Sequence, residues 1–585
     1  MSAFNTTGIS VKAKRRASIE KPWLKYYPEA MRNFEYEPTT LHEFLCQYNR
    51  GHFAPVVDYY GRFFSLRSIL SSADAVAKSL AAAGVGEGSK IAMFIRTTPE
   101  FLFILLAAEK LGATLVCREG SDEEKLEAII RAEAEIAFAP DYLSKETEEF
   151  FYSNSNLKHL VLVSPYTYAE RESIPSYIEA NIERLYPENR ANDSRNISWE
   201  DLLEAGKRHV GYREASRDPN RPLYHSYTSG SCGPSKEVMH SAATMCGFMS
   251  QLIIPSGRGA QLRITCLYSL LPPALVAVVN PMLLYNIASG NLLILDSFCE
   301  LKDLDLEFMR YMPNQLVAVP MMADYLMNSP RIPEDYSMDF LYVIGGGADP
   351  VHNKWLNKMQ EFLKKHNSPA VFSMCYGLSE GGSGVANPHG KSTFFNCGAG
   401  IPMRGTTIGI FEPNTQNELG YGEVGQICVS GPSCMIGYTD PVETAKTIQV
   451  HDDGLTWVHT GDYGYMNENG ELFVLGRGLN KRFGGGYMYL GAMENKICDI
   501  PGILDCFFVL AADKEHKGYM VPYLYVVLED DLTFDRLNSI KSFINRALDQ
   551  HEQPARITIK KRREYFAFKT NRRILAAQID SETNR

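Results

Sequence analysis

Cysteine pairs at two-residue spacing are missing from this sequence, although it contains twelve cysteines scattered from Cys46 to Cys506. That absence removes the zinc-ribbon and thioredoxin-like readings. Scattered thiols in this number fit a reducing compartment, so a cytoplasmic location is expected. Basic charge is in deficit: 59 Lys and Arg face 69 Asp and Glu, a net charge of −10, and no basic stripe interleaved with aromatics compensates locally. A nucleic-acid partner is therefore not expected. A secretory signal is not expected either, because Lys12, Lys14, Arg15 and Arg16 have no apolar run behind them and read as a solvated arm. There is no internal repeat and no low-complexity tract.

Charge of either sign is absent between Arg263 and Asp296, a length that would permit a membrane-spanning helix. Pro272, Pro273 and Pro281 interrupt the stretch, Asn280, Asn286 and Asn291 lie inside it, and Gly290 precedes a short LLIL run. It reads as a buried helix and strand beside an apolar ligand pocket.

What is present is an ordinary globular composition, 45% hydrophobic and 22% charged, over 585 residues. That length exceeds what one hydrophobic core supports, so at least two domains are expected. Leu66, Ile69, Leu70, Ala73, Val76 and Leu80 recur at helical spacing before Gly84. KIAMFI, the apolar helix FLFILLAAEKLGA behind Thr98 and Pro99, and TLVC then form a βαβ unit, which requires a parallel sheet. The alternation continues through strand-like runs near Leu160, Leu293, Leu316 and Leu341, so the fold class is α/β with doubly wound sheets. After Pro402 short strands separated by turn residues suggest a small β-rich subdomain. Two strands, a helix over 535–550 and a further strand then predict a small, mobile α+β domain at the C-terminus. The expected division is an arm over 1–40, a large domain over 41–478 and the C-terminal domain over 479–585.

Three segments carry candidate chemistry. In YTSGSCGPSKEV (227–238), Gly230 and Gly233 let the backbone curl around an anion, Thr228, Ser229 and Ser231 add hydroxyl donors, and Lys236 can place a point charge on a phosphate. The spacing is not that of a Walker loop. In YGLSE (376–380), Gly377, Ser379 and Gly381 match the GxSxG nucleophile elbow of hydrolases, but GGSGVANPHG behind them cannot make the helix the elbow requires. Glu380 reads instead as a hard oxygen ligand for magnesium. In the third, Asp462 of TGD can accept ribose hydroxyls, and Arg477 after Gly476 can bind the same sugar or a phosphate.

The order and spacing of these pieces resemble the adenylate-forming superfamily of acyl-CoA synthetases, peptide-synthetase adenylation domains and luciferases. Besides the segments above, the resemblance rests on GGGADP (345–350), GEVGQICVSGPSCMIGY (422–438), HTGD, GRGLNKRFGGGYMY and FKTNRRIL, and it covers nearly the whole chain. KPWLKYY followed by TLHEFL is most similar to bacterial fatty-acid-type ligases. The resemblance implies an enzyme that uses ATP, Mg2+ and coenzyme A to activate a carboxylic acid, a medium- or long-chain fatty acid being the expected one. It implies that residues 228–236, including Cys232, bind the β and γ phosphates, and that Gly346, Gly347, Ala348 and Tyr376 bind adenine. Ser379 and Glu380 would meet phosphates and magnesium, Asp462 and Arg477 the ribose, and Gly484, Gly485 and Gly486 a pantetheine arm. A hinge near Asn480 would let the last domain serve two half-reactions.

The sequence departs from that pattern at Cys232 for a usual threonine, Ser235 for a usual proline and Glu237 for a usual glycine. Ser269 stands near the place of a usual histidine, and Leu479 with Asn480 replaces a usual Lys-Asp pair. The catalytic lysine of the pattern aligns with Arg573, and Lys569 lies four positions earlier. Transfer to the pantetheine of a carrier protein, and a non-catalytic acyl- and nucleotide-binding protein, are the alternative readings.

Overall fold

The periodic run that begins at Leu66 forms a helix, Leu66–Ala82, in the computed structural model, which describes residues 15–228, 235–253, 264–347, 349–388, 396–478, 480–529, 534–560 and 572–583. Ser65 caps it, accepting from the Ser68 N–H while the Ser68 side chain returns a bond to the Ser65 N–H. The βαβ unit follows as Lys90–Met93, Pro99–Leu111 and Thr114–Cys117, with Ile91 beside Leu115 in parallel pairing. Helix Pro99–Leu111 buries every residue but Glu109 and Lys110, because it lies between layers and not on a surface. Its core is shared with Ile91 and Leu115 of one large sheet and Leu267 and Leu293 of another.

The first large sheet has eight strands in the order Gly437–Tyr438, Glu237–Ser241, Pro222–Tyr227, Thr114–Cys117, Lys90–Met93, Ile136–Pro140, His159–Val163, Ile197–Ser198. Its pairs are parallel from Pro222–Tyr227 onward and antiparallel before it. The second has seven, in the order Phe372–Met374, Val343–Gly346, Gln315–Val317, Thr265–Ser269, Leu292–Asp296, Pro55–Tyr59, Arg62–Ser65, parallel except for the last pair. These are the expected α/β sheets. The change of texture past Pro402 corresponds to an antiparallel sheet that runs from Tyr376–Leu378 through Leu472–Arg477 and Thr456–Met466 to Thr407–Phe411. A three-stranded sheet, Ile503–Ala512, Met520–Leu528 and Arg556–Lys560, comes last, with helices Leu490–Cys498, Phe534–Ala547 and Arg572–Thr583.

The uncharged stretch contributes strands Thr265–Ser269 and Leu292–Asp296 with short helical segments between them. Asn280 and Asn286 are fully buried there, and each donates its side-chain N–H to a backbone carbonyl, Asn280 to Gly382 at 2.9 Å and Asn286 to Met282 at 2.8 Å. Among the described residues no helix is long and apolar enough to cross a membrane.

Arg15 and Arg16, the described part of the basic run read as a solvated arm, are exposed, whereas the residues just after them are packed into the body. Ala17, Trp23 and Tyr27 are buried in the core of the antiparallel sheet with Ile401, Ile410 and Leu472. Ser18 donates both its N–H and its hydroxyl to Glu418, 400 residues away, at 2.9 and 2.6 Å. The short apolar set finds its partners only across the whole chain, so no local pattern announces it.

Candidate active site

Strands Pro222–Tyr227 and Glu237–Ser241 pair antiparallel with Tyr227 opposite Glu237, which makes residues 228–236 the loop of a hairpin. The base of the loop is closed by bonds from the Thr228 N–H to the Lys236 carbonyl and from the Lys236 N–H to Thr228 Oγ1, each 2.9 Å. Ser229, Gly230, Ser231, Cys232 and Gly233, expected to cradle phosphate, lie outside the described residues. Glu237, the departure from glycine, is buried and accepts from His225 Nδ1 at 2.9 Å and Thr439 Oγ1 at 3.2 Å, so its charge is met inside the sheet.

Lys236 extends from this base to Glu443, Nζ to Oε2 2.6 Å, and lies 5.0 Å from the centroid of the Tyr438 ring. The hydrogen bond from Lys236, then that from Lys446, holds the Glu443 carboxyl down to about 2. An exposed pair of this kind is worth about 0–1 kcal/mol, so a polyphosphate can take the ammonium at little cost. Tyr438 is placed by the antiparallel pairing of Gly437–Tyr438 with Glu237–Ser241, Tyr438 opposite Val238. Its hydroxyl donates to Glu380 Oε1 at 2.6 Å. Burial, then the adjacent carboxylate, pushes that hydroxyl's pKa far up, which keeps it a donor. Lys236 and Glu380 therefore meet at one aromatic residue, the ring under the cation and the hydroxyl on the anion.

Glu380 is buried in a 3-10 turn, Ser379–Gly381, and strand Ser383–Asn387 follows. No helix comes after Ser379, so the hydrolase elbow is not formed. The Ser379 carbonyl accepts from His240 Nε2 at 2.9 Å, and burial drives His240 down to about 4, leaving it a neutral donor. Thus the hairpin and the Ser379–Gly381 turn are tied directly. With Tyr438 on Oε1, the second oxygen of Glu380 is the hard donor available to a cation such as magnesium.

Tyr376 opens the same segment, and its hydroxyl donates to Asp462 Oδ2 at 2.7 Å. Asp462 faces Arg477 across strands Thr456–Met466 and Leu472–Arg477, with Oδ1 and Nε 3.8 Å apart. Gly461 takes φ 74°, a left-handed turn that glycine adopts freely and that presents Asp462 at the strand. Gly346 ends its strand with its carbonyl accepting from the Cys375 N–H at 2.8 Å, and a Cβ there would stand 2.5 Å from the Ala318 carbonyl oxygen. Gly347 follows it, Gly377 lies between Tyr376 and the turn, and Ala348 falls outside the described residues.

The expected residues Thr228, Lys236, Gly346, Tyr376, Ser379, Glu380, Asp462 and Arg477 are thus linked through a continuous set of contacts. The backbone of Arg573 lies in the first turn of helix Arg572–Thr583, and its side chain and Lys569 are outside the described residues. Arg572 binds Glu494 at 2.8 and 3.1 Å and the Phe508 carbonyl at 3.0 Å. Gly485 and Gly486, read as a pantetheine passage, pack against His551. Sequence reading missed Tyr438, His240 and Glu443. Tyr438 ends the quoted 422–438 motif, but only strand pairing across about 200 residues reveals what it faces.

A family profile described as "AMP-binding enzyme" matches residues 47–439. A 4-coumarate-CoA ligase 2 from Narcissus pseudonarcissus is 24% identical over 475 residues, 79% of this chain and 77% of the relative. A long-chain-fatty-acid–CoA ligase from Salmonella typhimurium is 24% identical over 424 residues, 70% of this chain and 71% of the relative. Among solved structures, ATP-bound MatB from Rhodopseudomonas palustris superposes with a TM-score of 0.75 at 18% identity, covering 93% of this chain and 99% of that one. A benzoate CoA ligase from Burkholderia xenovorans gives 0.72 at 16% identity, covering 92% and 99%.

Proposed function

This chain belongs to the AMP-binding enzyme family, and on that premise we propose that it joins a carboxylic acid to the α-phosphate of ATP, releases pyrophosphate, and passes the acyl group to the thiol of coenzyme A. The observation that carries the reading is the convergence of Lys236 and Glu380 on Tyr438 beside the Tyr376–Asp462 pair. It offers a cation and a hard anion at one end, for a triphosphate with its metal, and ribose acceptors at the other.

The barrier to adenylation is the meeting of a carboxylate with a phosphate that is already anionic, so fixed cations and donors lower it most. Lys236 would leave Glu443 for the triphosphate, Asp462 and Arg477 would orient the ribose, and Tyr438 would hold the Glu380 carboxylate in place. Magnesium carried by the nucleotide would neutralise charge on the departing pyrophosphate, and Glu380 is the residue to hold it. Arg573, at the register of the catalytic lysine, would bridge carboxylate and α-phosphate, a task its planar donor fork permits.

The acid we infer is apolar. The Salmonella relative is named for long-chain fatty acids and the Narcissus relative for 4-coumarate, and both acids carry an apolar body behind the carboxylate. A medium- or long-chain fatty acid is the first to test. The eleven described cysteines are all free thiols, which supports a reducing, cytoplasmic setting.

The deciding experiment is a screen of acids by pyrophosphate release, repeated with and without coenzyme A. Release that needs an added acid, with thioester appearing only when coenzyme A is present, is the expected result. A protein that binds ATP yet makes no adenylate from any acid would instead be a binding homologue, the reading that arginine in place of lysine favours.

A further inference from the structure

Strand Thr114–Cys117 is the parallel neighbour of Pro222–Tyr227, with Val116 beside His225. Continued by two residues, that register brings Arg118 level with Tyr227, where the 228–236 loop leaves its strand. The Arg118 side chain is only 9% exposed and is held on three sides. Its guanidinium lies 4.4 Å from the centroid of the Tyr227 ring, Nη2 pairs with Glu124, and Nη1 donates to Ser235 Oγ at 2.7 Å. Ser235 in turn donates to the Thr228 carbonyl, and the next residue is Lys236, whose N–H is bound to Thr228 Oγ1.

The relay runs from a buried cation through one hydroxyl to the residue that closes the loop. It depends on a serine at 235, where the resembled family commonly has proline. Proline stiffens a loop by fixing φ and has no hydroxyl to accept from an arginine. Serine leaves the chain freer and gains the bond.

Resting on the nucleotide site described above, we propose that Arg118 is a positioning residue for the nucleotide phosphates, holding the base of the 228–236 loop through Ser235 in place of the stiffness a proline would give. Arg118 does not touch the nucleotide. It fixes the direction in which Lys236 leaves the base of the loop, so its loss is felt in ATP binding and much less in the chemical step.

Four variants test this: Arg118→Met, Ser235→Ala, the two combined, and Arg118→Met in a Ser235→Pro background. Loss of one hydrogen bond to a charged group predicts that either single variant raises KM for ATP about 10-fold with kcat within about 2-fold. The combined variant should be no worse than either alone, because both remove the same tie. In the proline background Arg118→Met should change KM less than about 2-fold, since the relay is already absent there. Hydrogen exchange at the Lys236 amide supplies a readout independent of activity: it should accelerate in Arg118→Met and Ser235→Ala. If the parent binds no ATP by calorimetry, the proposed function fails while the exchange measurement still reports on the relay. Unchanged exchange at Lys236 in Arg118→Met, or single-variant effects that multiply in the combined variant, would overturn the proposal.

Discussion

Replacing Tyr438 by phenylalanine takes one hydroxyl out of the site and leaves the ring beneath Lys236. Glu380 then loses its buried donor, and loss of a single preorganised hydrogen bond to a charged group in such a site costs about 10- to 100-fold in rate. Steady-state pyrophosphate release should show that drop in Tyr438→Phe, while the unfolding transition stays cooperative. Lys236→Ala and Glu380→Ala should weaken ATP use further with the fold intact, and a lost cooperative transition in either would make that residue part of the scaffold. Arg573→Ala should depress acyl-adenylate formation by orders of magnitude, about 10²-fold or more, yet spare thioester formation from synthetic acyl-adenylate, because the charge matters mainly in the first transition state. Normal adenylation in Arg573→Ala together with its loss in Lys569→Ala would place the catalytic cation at the lysine. Residues carried by a local motif, such as Lys236, Glu380 and Asp462, were legible in the sequence because the motif states their order. Tyr438 and Arg118 were not, since each acquires its neighbours from strand pairing between distant segments.

At the scale of elements, amphipathic periodicity and turn chemistry located the βαβ unit and the strands of the last sheet, while helix Arg572–Thr583 was hidden in a basic, polar run. A second invisible feature is the clasp between helix Asn353–Lys365 and the C-terminal elements. His352 caps that helix and places Nε2 3.0 Å from Asp505 Oδ1, with Cys498 close by; Asn353 N–H reaches Asn495, and Lys354 reaches the Ile503 carbonyl and Glu529. Burial opposes charge on His352, but the bonds to Asp505 and Cys498 more than offset it and raise the imidazole to about 9. Charged, the ring gives up its acceptor role toward the Trp355 N–H and keeps the two acids. Cys498 moves the other way: burial opposes its ionisation, but the bonds from Cys506 and His352 bring it down to about 7. The imidazole thus keeps a proton over the range in which the thiol releases one. The raised imidazole and the lowered thiol act in opposite directions on the number of protons the folded chain binds, so their contributions to the pH dependence of stability offset one another. Cys498→Ser removes the compensation. With Asp505 as its remaining partner, whatever raise the ring keeps above its unfolded value of 6.5 stabilises fully below that pH and is lost as pH rises through the folded pKa. Denaturant unfolding from pH 6 to 10 should therefore show the advantage of Cys498→Ser over His352→Asn/Cys498→Ser shrinking with pH. Asparagine at 352 keeps a helix cap, so a pH-independent gap would rule out a raised imidazole at 352.

For the whole molecule, the α/β class and the sequence of sheet types could be read from alternating helix and strand patterns; how the chain closes on itself could not. In the proposed two-step reaction the C-terminal unit would turn, presenting first a cation and then a passage for the thiol. Asn480, bound through its amide to the Arg477 carbonyl and through its carbonyl to the Met488 N–H at 2.8 Å each, stands at the expected pivot. Asn480→Pro fixes φ there and should impair one half-reaction more than the other, measured separately with acid plus ATP and with synthetic adenylate plus coenzyme A. Equal loss in both assays would argue against a turning unit. Trp23 makes a different demand. It is 1% exposed, and its backbone nitrogen lies where a Cβ on Gly470 would come within 2.5 Å. Trp23→Ala should destabilise the antiparallel sheet by about 3–5 kcal/mol, seen as an early melting phase. During synthesis this indole leaves the ribosome long before Leu472, and at about 5–20 residues per second the wait is roughly 20–90 s. The nascent chain must carry an unpartnered tryptophan throughout, which makes the segment around Trp23 a natural client site for a chaperone and makes closure of the antiparallel sheet a late event in maturation.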